Sequence, residues 1–424
     1  MDSALYNENV KRCSLPAFSL WLLPWMLILA WGFLGAFLCL YKGLNQTNMD
    51  DYFVFALWIV VDLTVIGLGA GAFFTGFLTY IVGKKELKDI INAAVIIGFI
   101  CYSGAIAMLF IDIGQPTRGW FMMWHVNVHS MLAEVSFCIS IYLCVLAVEY
   151  IPTILDNRQI SRIKPLRLIS SNMHEIMAVF AATGTFLSFF HQGSLGGMYG
   201  VMFARPFAFR DGIFVWPWTF FLFIISALAV GPCFTILCTK LTEFITRKKL
   251  VRDQAIQILA KISGWILCAY VVLKILDTIV WAFGIVPNAG HVYSDFYSGS
   301  YGEWLLWFEL IVFGAVPALI LVTPARQNNL LLILGCLMSC IGLAINRFVF
   351  TVLTLAIPVM PFDKFVFYFP SWQEWAISAA LLGYGFILFS ISYRYLPVFP
   401  KEHQLNPVNN IKDHSNLIKR RLEE

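Results

Sequence analysis

The sequence predicts an all-α integral membrane protein that crosses the bilayer ten times, and three observations lead there. Of 424 residues, 59% are hydrophobic and only 13% charged, with a mean hydropathy of +0.76, against about a quarter charged in soluble domains. Apolar runs of about twenty residues, the length that crosses a hydrocarbon core, recur ten times. The segments between them alternate between basic and nearly uncharged, as expected when Lys and Arg near helix ends stay in the cytoplasm. A soluble fold is excluded. The net charge of +4 is read as loops facing membrane lipid and not as a nucleic-acid surface.

In chain order the runs span 17–41, 52–82, 90–112, 129–154, 173–196, 213–239, 255–287, 303–323, 329–357 and 373–396. Backbone polar groups in lipid must bond within their own segment, so each run is expected to be a helix. With both termini inside, twenty Lys and Arg residues fall on the inner side and five, Lys42, Arg118, Arg205, Arg210 and Lys364, on the outer. An odd number of spans would break that alternation. The first run is too long for a signal-peptide core and lacks a small-residue cleavage site, so it is expected to remain. The chain thus divides into a cytoplasmic N-terminal segment 1–16, a ten-helix transmembrane domain 17–396 and a cytoplasmic tail 397–424, set in a cytoplasmic (inner) membrane.

Ten cysteines form no Cys-x-x-Cys; the nearest pairs are Cys233/Cys238 and Cys336/Cys340. Iron–sulfur ligation needs closely grouped thiolates, so no iron–sulfur cluster is expected in this chain and the thiols read as apolar filler. The outer loops Gly114–Val128, Gly193–Gly212, His291–Gly302 and Pro358–Pro370 are rich in aromatics and glycine. Apolar loops facing water mark an interface with another protein; the plainer alternative is an aromatic belt at the headgroups.

Polar chemistry concentrates in two places. The stretch Asp112-Ile-Gly-Gln-Pro-Thr-Arg118, with His125, His129 and Glu134 beyond it, lies between two apolar runs. An imidazole with a nearby acid can hydrogen-bond a quinone carbonyl and resupply protons, which makes His129 and Glu134 candidates. Structurally, His129 would instead cap a helix and Glu134 satisfy a loop. Asp112 and Arg118 flank the turn and are expected to pair. Within the runs lie Asp62, Lys274, Asp277, Glu309 and Arg347. Charges at such depth pair with one another or form a proton path, and Lys274 and Asp277, three apart, share a helix face. That row stops midway, so it would conduct from one side only. A b-type haem would need two facing histidines; His129 and His191 both fall near outer helix ends. His174 precedes His191 by seventeen residues, about 26 Å of helix, so those two cannot share one haem.

Several runs carry a resemblance: Gly67-Leu-Gly-Ala-Gly-Ala-Phe-Phe-Thr-Gly76, Asn127-Val-His-Ser130, Phe190-His-Gln-Gly-Ser-Leu-Gly-Gly-Met-Tyr-Gly200, Trp216-Pro-Trp218, Lys274-Ile-Leu-Asp277, Asn346-Arg347 and Val359-Met-Pro-Phe-Asp363. Together they resemble the NrfD/HybB family of membrane subunits, most closely its DsrP-like branch from DsrMKJOP complexes of sulfur-metabolising prokaryotes. The wider family commonly has Asp-Leu-Gly-Arg-Pro after its third helix; here Gln115 stands for the arginine, with Arg118 one turn on. The resemblance implies two four-helix bundles plus two peripheral helices. It also implies a subunit of a menaquinone-linked oxidoreductase with no complete catalytic centre of its own, in which His129, Glu134, Asp112, Arg118 and His191 surround the quinone. The partners it implies are an extracytoplasmic ferredoxin-like iron–sulfur subunit, a multihaem cytochrome c, a haem-b membrane subunit and a cytoplasmic iron–sulfur subunit. Most members carry no haem in this subunit, so haem b is the lesser cofactor expectation. Two other functions stay open: a redox-coupled proton-translocating subunit without quinone chemistry, and a secondary transporter, which is disfavoured because the polar groups gather at one face and not at the midplane.

Overall fold

The computed structural model describes residues 13–400 apart from 128, 203–204, 206–207, 211, 214–215, 298, 300 and 359–362. Most of the expected N-terminal segment, the tail from 401, and residues 359–362 of the Val359–Asp363 run therefore lie outside the described residues. The helices are α1 (Leu15–Lys42), α2 (Leu57–Ile81), α3 (Ile91–Asp112), α4 (Met131–Leu155), α5 (Lys164–Glu175), α6 (Met177–Gly200), α7 (Trp218–Thr246), α8 (Asp253–Asn288), α9 (Trp304–Val322), α10 (Asn329–Ala356) and α11 (Trp372–Tyr395). Among the described residues, nine are long and apolar enough to cross a membrane, and α5 with α6, bent by 56° at their junction, supplies a tenth span. The protein is thus a multi-span helical membrane protein. Among the described residues its one sheet is a two-stranded antiparallel ladder, β1 (Gly212–Ile213) with β2 (Trp216–Pro217). That ladder is why α7 starts at Trp218 and not at 213.

Local chemistry sets the helix ends. Pro16 stands in the first turn of α1, where a missing N–H costs nothing, and Gly43 ends it at φ +93°. Asn328 accepts from the Leu330 and Leu331 amides to start α10. Ser371 and Glu374 form a reciprocal capping box on α11.

α2, α3, α4 and α6 pack as one bundle, and α7, α8, α9 and α10 as a second. The bundles meet where α7 lies against α2 and α6. At the α2–α7 crossing a Cβ on Gly71 would sit 2.5 Å from the Gly231 carbonyl oxygen, so the two backbones touch and only glycine fits. α1 and α11 pair on the periphery against α3. Two bundles and two outlying helices are what the resemblance implies. Five loops, including 113–130 and 201–217, gather at one end, called here the aromatic-loop face. The shorter loops 82–90, 247–252 and 323–328, together with α5, occupy the basic-loop face.

Glu374 knits the aromatic-loop face together. Fully buried at the start of α11, it accepts from the amides of Asn48 (2.8 Å), Leu57 (3.0 Å) and Ser371 (3.2 Å) and from the Tyr368 hydroxyl. It thereby ties the loop before α2, the first turn of α2 and the loop before α11 to one carboxylate. Burial and the bond to Glu374 push the Tyr368 phenol up, so it stays a donor. Leaving such donors unpaired costs about 1–3 kcal/mol each. E374A is therefore expected to unfold several degrees below wild type in detergent, and E374Q, which keeps one oxygen acceptor, to fall between them. Intrinsic-fluorescence melting checks this; indistinguishable curves would show that the knot carries no stability.

Candidate functional site

In the first bundle a buried polar core lies toward the aromatic-loop face. Trp58, in the first turn of α2, donates its indole N–H to Asp112 at the end of α3, 2.7 Å away. One turn deeper on the same face of α2 lies Asp62, 1% exposed, with Oδ1 unbonded. Asp62 interacts electrostatically with Asp112, Tyr102 and Tyr199. His191 is fully buried in α6, its ring 5.8 Å from that of Tyr102. Neither of its nitrogens closes a well-formed hydrogen bond, although the Val135 backbone of α4 lies alongside. Tyr102 shares a 3.0 Å hydrogen bond with Ser188. Gln192 and Ser194, also buried, are without well-formed side-chain partners. Interiors rarely leave such groups unsatisfied, and a concentration of them next to an acid is a place where polar ligand atoms can bind.

The second bundle is closed. Arg210, from the loop before α7, reaches down to Asp277 at 3.0 Å, and Lys274 stands 3.7 Å from the other carboxylate oxygen. Arg210 also lies over the Trp281 ring and Lys274 over Phe350. Glu309 accepts from Asn346 at 2.7 Å and from Tyr270 at 3.4 Å. Arg347 donates to Asn346 and Ser226 and stacks 3.6 Å above the Phe223 ring. Between Arg210, Lys274, Tyr297 and Glu309 lies a cavity of about 20 Å³, room for roughly one water. Its walls come largely from wide π-helical turns at Trp281–Ile285, Phe308–Ala315 and Val349–Leu353. Such turns push a helix's side chains out of register and recur at functional sites.

The structure thus brings together Lys274, Asp277, Glu309 and Arg347 in one bundle, and Asp62, Asp112 and His191 in the other. The expected Asp112–Arg118 pair does not form: Trp58 takes the carboxylate, and Arg118 is exposed with no ion pair among the described residues. His129 is exposed before α4, where its backbone N–H bonds the Asn127 side chain. Glu134 is half-buried in the first turn of α4, adjoining Val135 and hence His191. His174 contacts Asp156 at 3.1 Å on the other face.

Two residues escape a reading of the sequence. Arg210 counts there as an outer-loop charge, yet it is 5% exposed inside the second bundle. Glu149 is absorbed into an apolar run, although a carboxylate at that depth is the available signal. It sits six residues from the end of α4, in electrostatic contact with Tyr80 and Tyr142. The Tyr142 ring meets Tyr102 edge-on at 4.5 Å.

Two facing helical bundles, one with a paired charge cluster and one with a polar core short of partners, define a polytopic membrane protein with two buried polar centres. The family model for NrfD, polysulphide reductase, matches residues 45–358, and the chain belongs to that family. It is 50% identical over 409 residues, covering 96% of this chain and 98% of the relative, to the menaquinone reductase integral membrane subunit of Nitratidesulfovibrio vulgaris. It is also similar to a selenate reductase subunit of Mesobacillus selenatarsenatis, at 21% identity over 88% of this chain and 93% of the relative. The probable Ni/Fe-hydrogenase 2 b-type cytochrome subunit of Escherichia coli is 22% identical over 84% and 86%.

Removing one member of a buried ion pair strands the other at a cost of about 3–5 kcal/mol. Because Lys274 remains beside Asp277, R210M is expected to lower stability by somewhat less than that, and D277N, which strands both cations, by at least as much. A double-mutant cycle by thermal unfolding measures the coupling; additive losses would show that Arg210 and Asp277 are not paired.

Proposed function

We propose that the chain is the quinone-reactive membrane subunit of a multi-subunit respiratory oxidoreductase, exchanging electrons between menaquinone and an iron–sulfur subunit docked on the aromatic-loop face. The observation that carries this reading is the unsatisfied polar core of the first bundle, just beneath that face. The half-identical relative, an integral membrane subunit of a menaquinone reductase, supports menaquinone as the substrate. Reducing one quinone takes two electrons, from the partner, and two protons, through this chain.

The residues have distinct tasks. His191, unbonded and buried, can donate to one carbonyl oxygen and deliver a proton there. Asp112, held by Trp58, and Asp62 supply acid at the mouth. Glu134 stands beside the same turn of α4, and exposed His129 and Arg118 lie at the entrance. Protons enter from the opposite side: Glu149 near the basic-loop face leads through Tyr142 to Tyr102, Ser188 and His191. Of that series Tyr102 and Ser188 are hydrogen-bonded to each other and the other steps need water or side-chain movement, whereas Lys274, Asp277, Glu309 and Arg347 are held by partners of their own. The small cavity beside Glu309 is what supports the second reading, in which that cluster moves protons under redox control.

The excess of basic residues supports a cytoplasmic basic-loop face and cytoplasmic termini, which puts the partner's iron–sulfur cluster outside the cytoplasm. Membership of a DsrMKJOP-like complex of dissimilatory sulfur metabolism, with its multihaem cytochrome c, haem-b subunit and cytoplasmic iron–sulfur subunit, rests on the resemblance alone. A haem b in this chain would use His191 with His129, one fully buried and the other exposed, and is the weaker fit.

Titrating the detergent-purified protein with a menaquinol analogue is expected to give saturable quenching of intrinsic fluorescence, weakened at least about tenfold in H191A and D112N if each removes one good hydrogen bond. Unchanged affinity in both would remove the quinone from the first bundle. In proteoliposomes holding the assembled complex, with a pH dye inside or outside, E149Q is expected to slow proton uptake from the basic-loop side while leaving analogue binding intact. Uptake at the wild-type rate would exclude Glu149 as the entry.

A further inference from the structure

The segment between α4 and α6 is expected from sequence to be a plain basic loop, yet twelve of its residues form α5, the helix with the strongest separation of apolar and polar sides in the chain. By length alone crossing the membrane does not require it, since α6 has 24 residues, about 36 Å at 1.5 Å per residue, although the two helices qualify as an apolar span together. The 56° bend between them turns α5 away from the direction of α6.

α5 has three faces. Leu166, Ser170 and Met173, at three- and four-residue spacing, turn toward the protein, and Ser170 is 3% exposed. That face is fastened by Asp156, just past the end of α4, which accepts from Ser170 at 2.7 Å and contacts His174 at 3.1 Å. A second face carries Leu168, Ile169 and, just beyond the helix, Ile176, which are 63%, 48% and 48% exposed. Arg162, Lys164 and Arg167 stand exposed along the remaining side and its approach. Apolar side chains uncovered on a helix with a flanking row of cations match the boundary between acyl chains and phosphates, where the apolar side sinks in and the basic side meets anionic headgroups.

We infer that α5 is an in-plane helix that binds the anionic phospholipid surface of the basic-loop face, with Arg162, Lys164 and Arg167 as the headgroup contacts and the Asp156 latch fixing its depth. This is independent of the quinone reading, since none of these residues takes part in it.

Hydrogen–deuterium exchange of residues 163–176 tests it, on the full chain in nanodiscs of phosphatidylcholine alone or with added phosphatidylglycerol. The anionic lipid is expected to slow exchange of this segment about tenfold or more, as three headgroup contacts would, while leaving the loop 247–252 unchanged. The surface variant R162Q/K164Q/R167Q, with wild-type melting as its control, is expected to lose that protection. Equal exchange in both lipids would overturn the proposal. So would protection reproduced by inorganic phosphate in phosphatidylcholine discs, which marks a free-anion site, or protection that appears only when partner subunits are added.

Discussion

A charge in hydrocarbon has to find its counterpart within the protein, because neither lipid nor bulk water can solvate it there. The second bundle meets most of that demand, although Asp277 Oδ2 and Arg347 Nε make no hydrogen bond. Asp277 is held between Arg210 and Lys274, Glu309 by Asn346 and Tyr270, and Arg347 by two hydrogen bonds and an aromatic face. The first bundle leaves part of it unmet, at Asp62, His191 and Gln192. Such spare bonding capacity is expensive to maintain in a dry interior, which is why it is informative where it occurs. One bundle pairs its charges internally and the other keeps hydrogen-bonding positions unused.

The two are not free to move apart. Glycine against glycine at the Gly71–Gly231 crossing brings α2 and α7 into backbone contact, and α2 also carries Trp58 and Asp62. A shift of the second bundle would thus be felt at the polar core of the first. Arg210 adds a second connection, because a loop that follows α6, the helix of His191, is anchored by its side chain inside the other bundle.

Hydropathy makes the ten spans readable, since a run of twenty apolar residues has few other fates, and the count survives although α6 and α7 start later than the apolar runs suggest. The charges of the second bundle are equally visible: Lys274, Asp277, Glu309 and Arg347 stand out within strongly apolar runs. What stays hidden depends on distance in the chain. The partner of Asp112 is an indole fifty-four residues earlier, and the nearby Arg118, the obvious choice by sequence, points elsewhere. Arg210 sits in a loop rich in glycine and aromatics, where nothing local says that its guanidinium descends into the bundle. The π-helical turns leave no pattern in composition. α5 is masked because a short amphipathic helix between two strongly apolar runs averages to an unremarkable basic loop. His129, which the sequence singles out, is at the surface, and the imidazole deepest in the polar core is His191.

α1 touches little besides α11, and beyond the helices the two ends meet where Arg394 donates to the Cys13 carbonyl at 3.1 Å. The first and last of the described spans are therefore paired. While the intervening eight spans are inserted, α1 has no protein neighbour of consequence and must be stable as a solitary helix in lipid. Its composition suits that wait, with a mean hydropathy of 2.0 over a window of which only 17% is covered in the finished fold. Docking of α11 on Gly32 and Gly35 then closes the molecule, so a chain arrested before residue 372 would leave α1 as a stray helix that quality-control proteases can recognise in the bilayer.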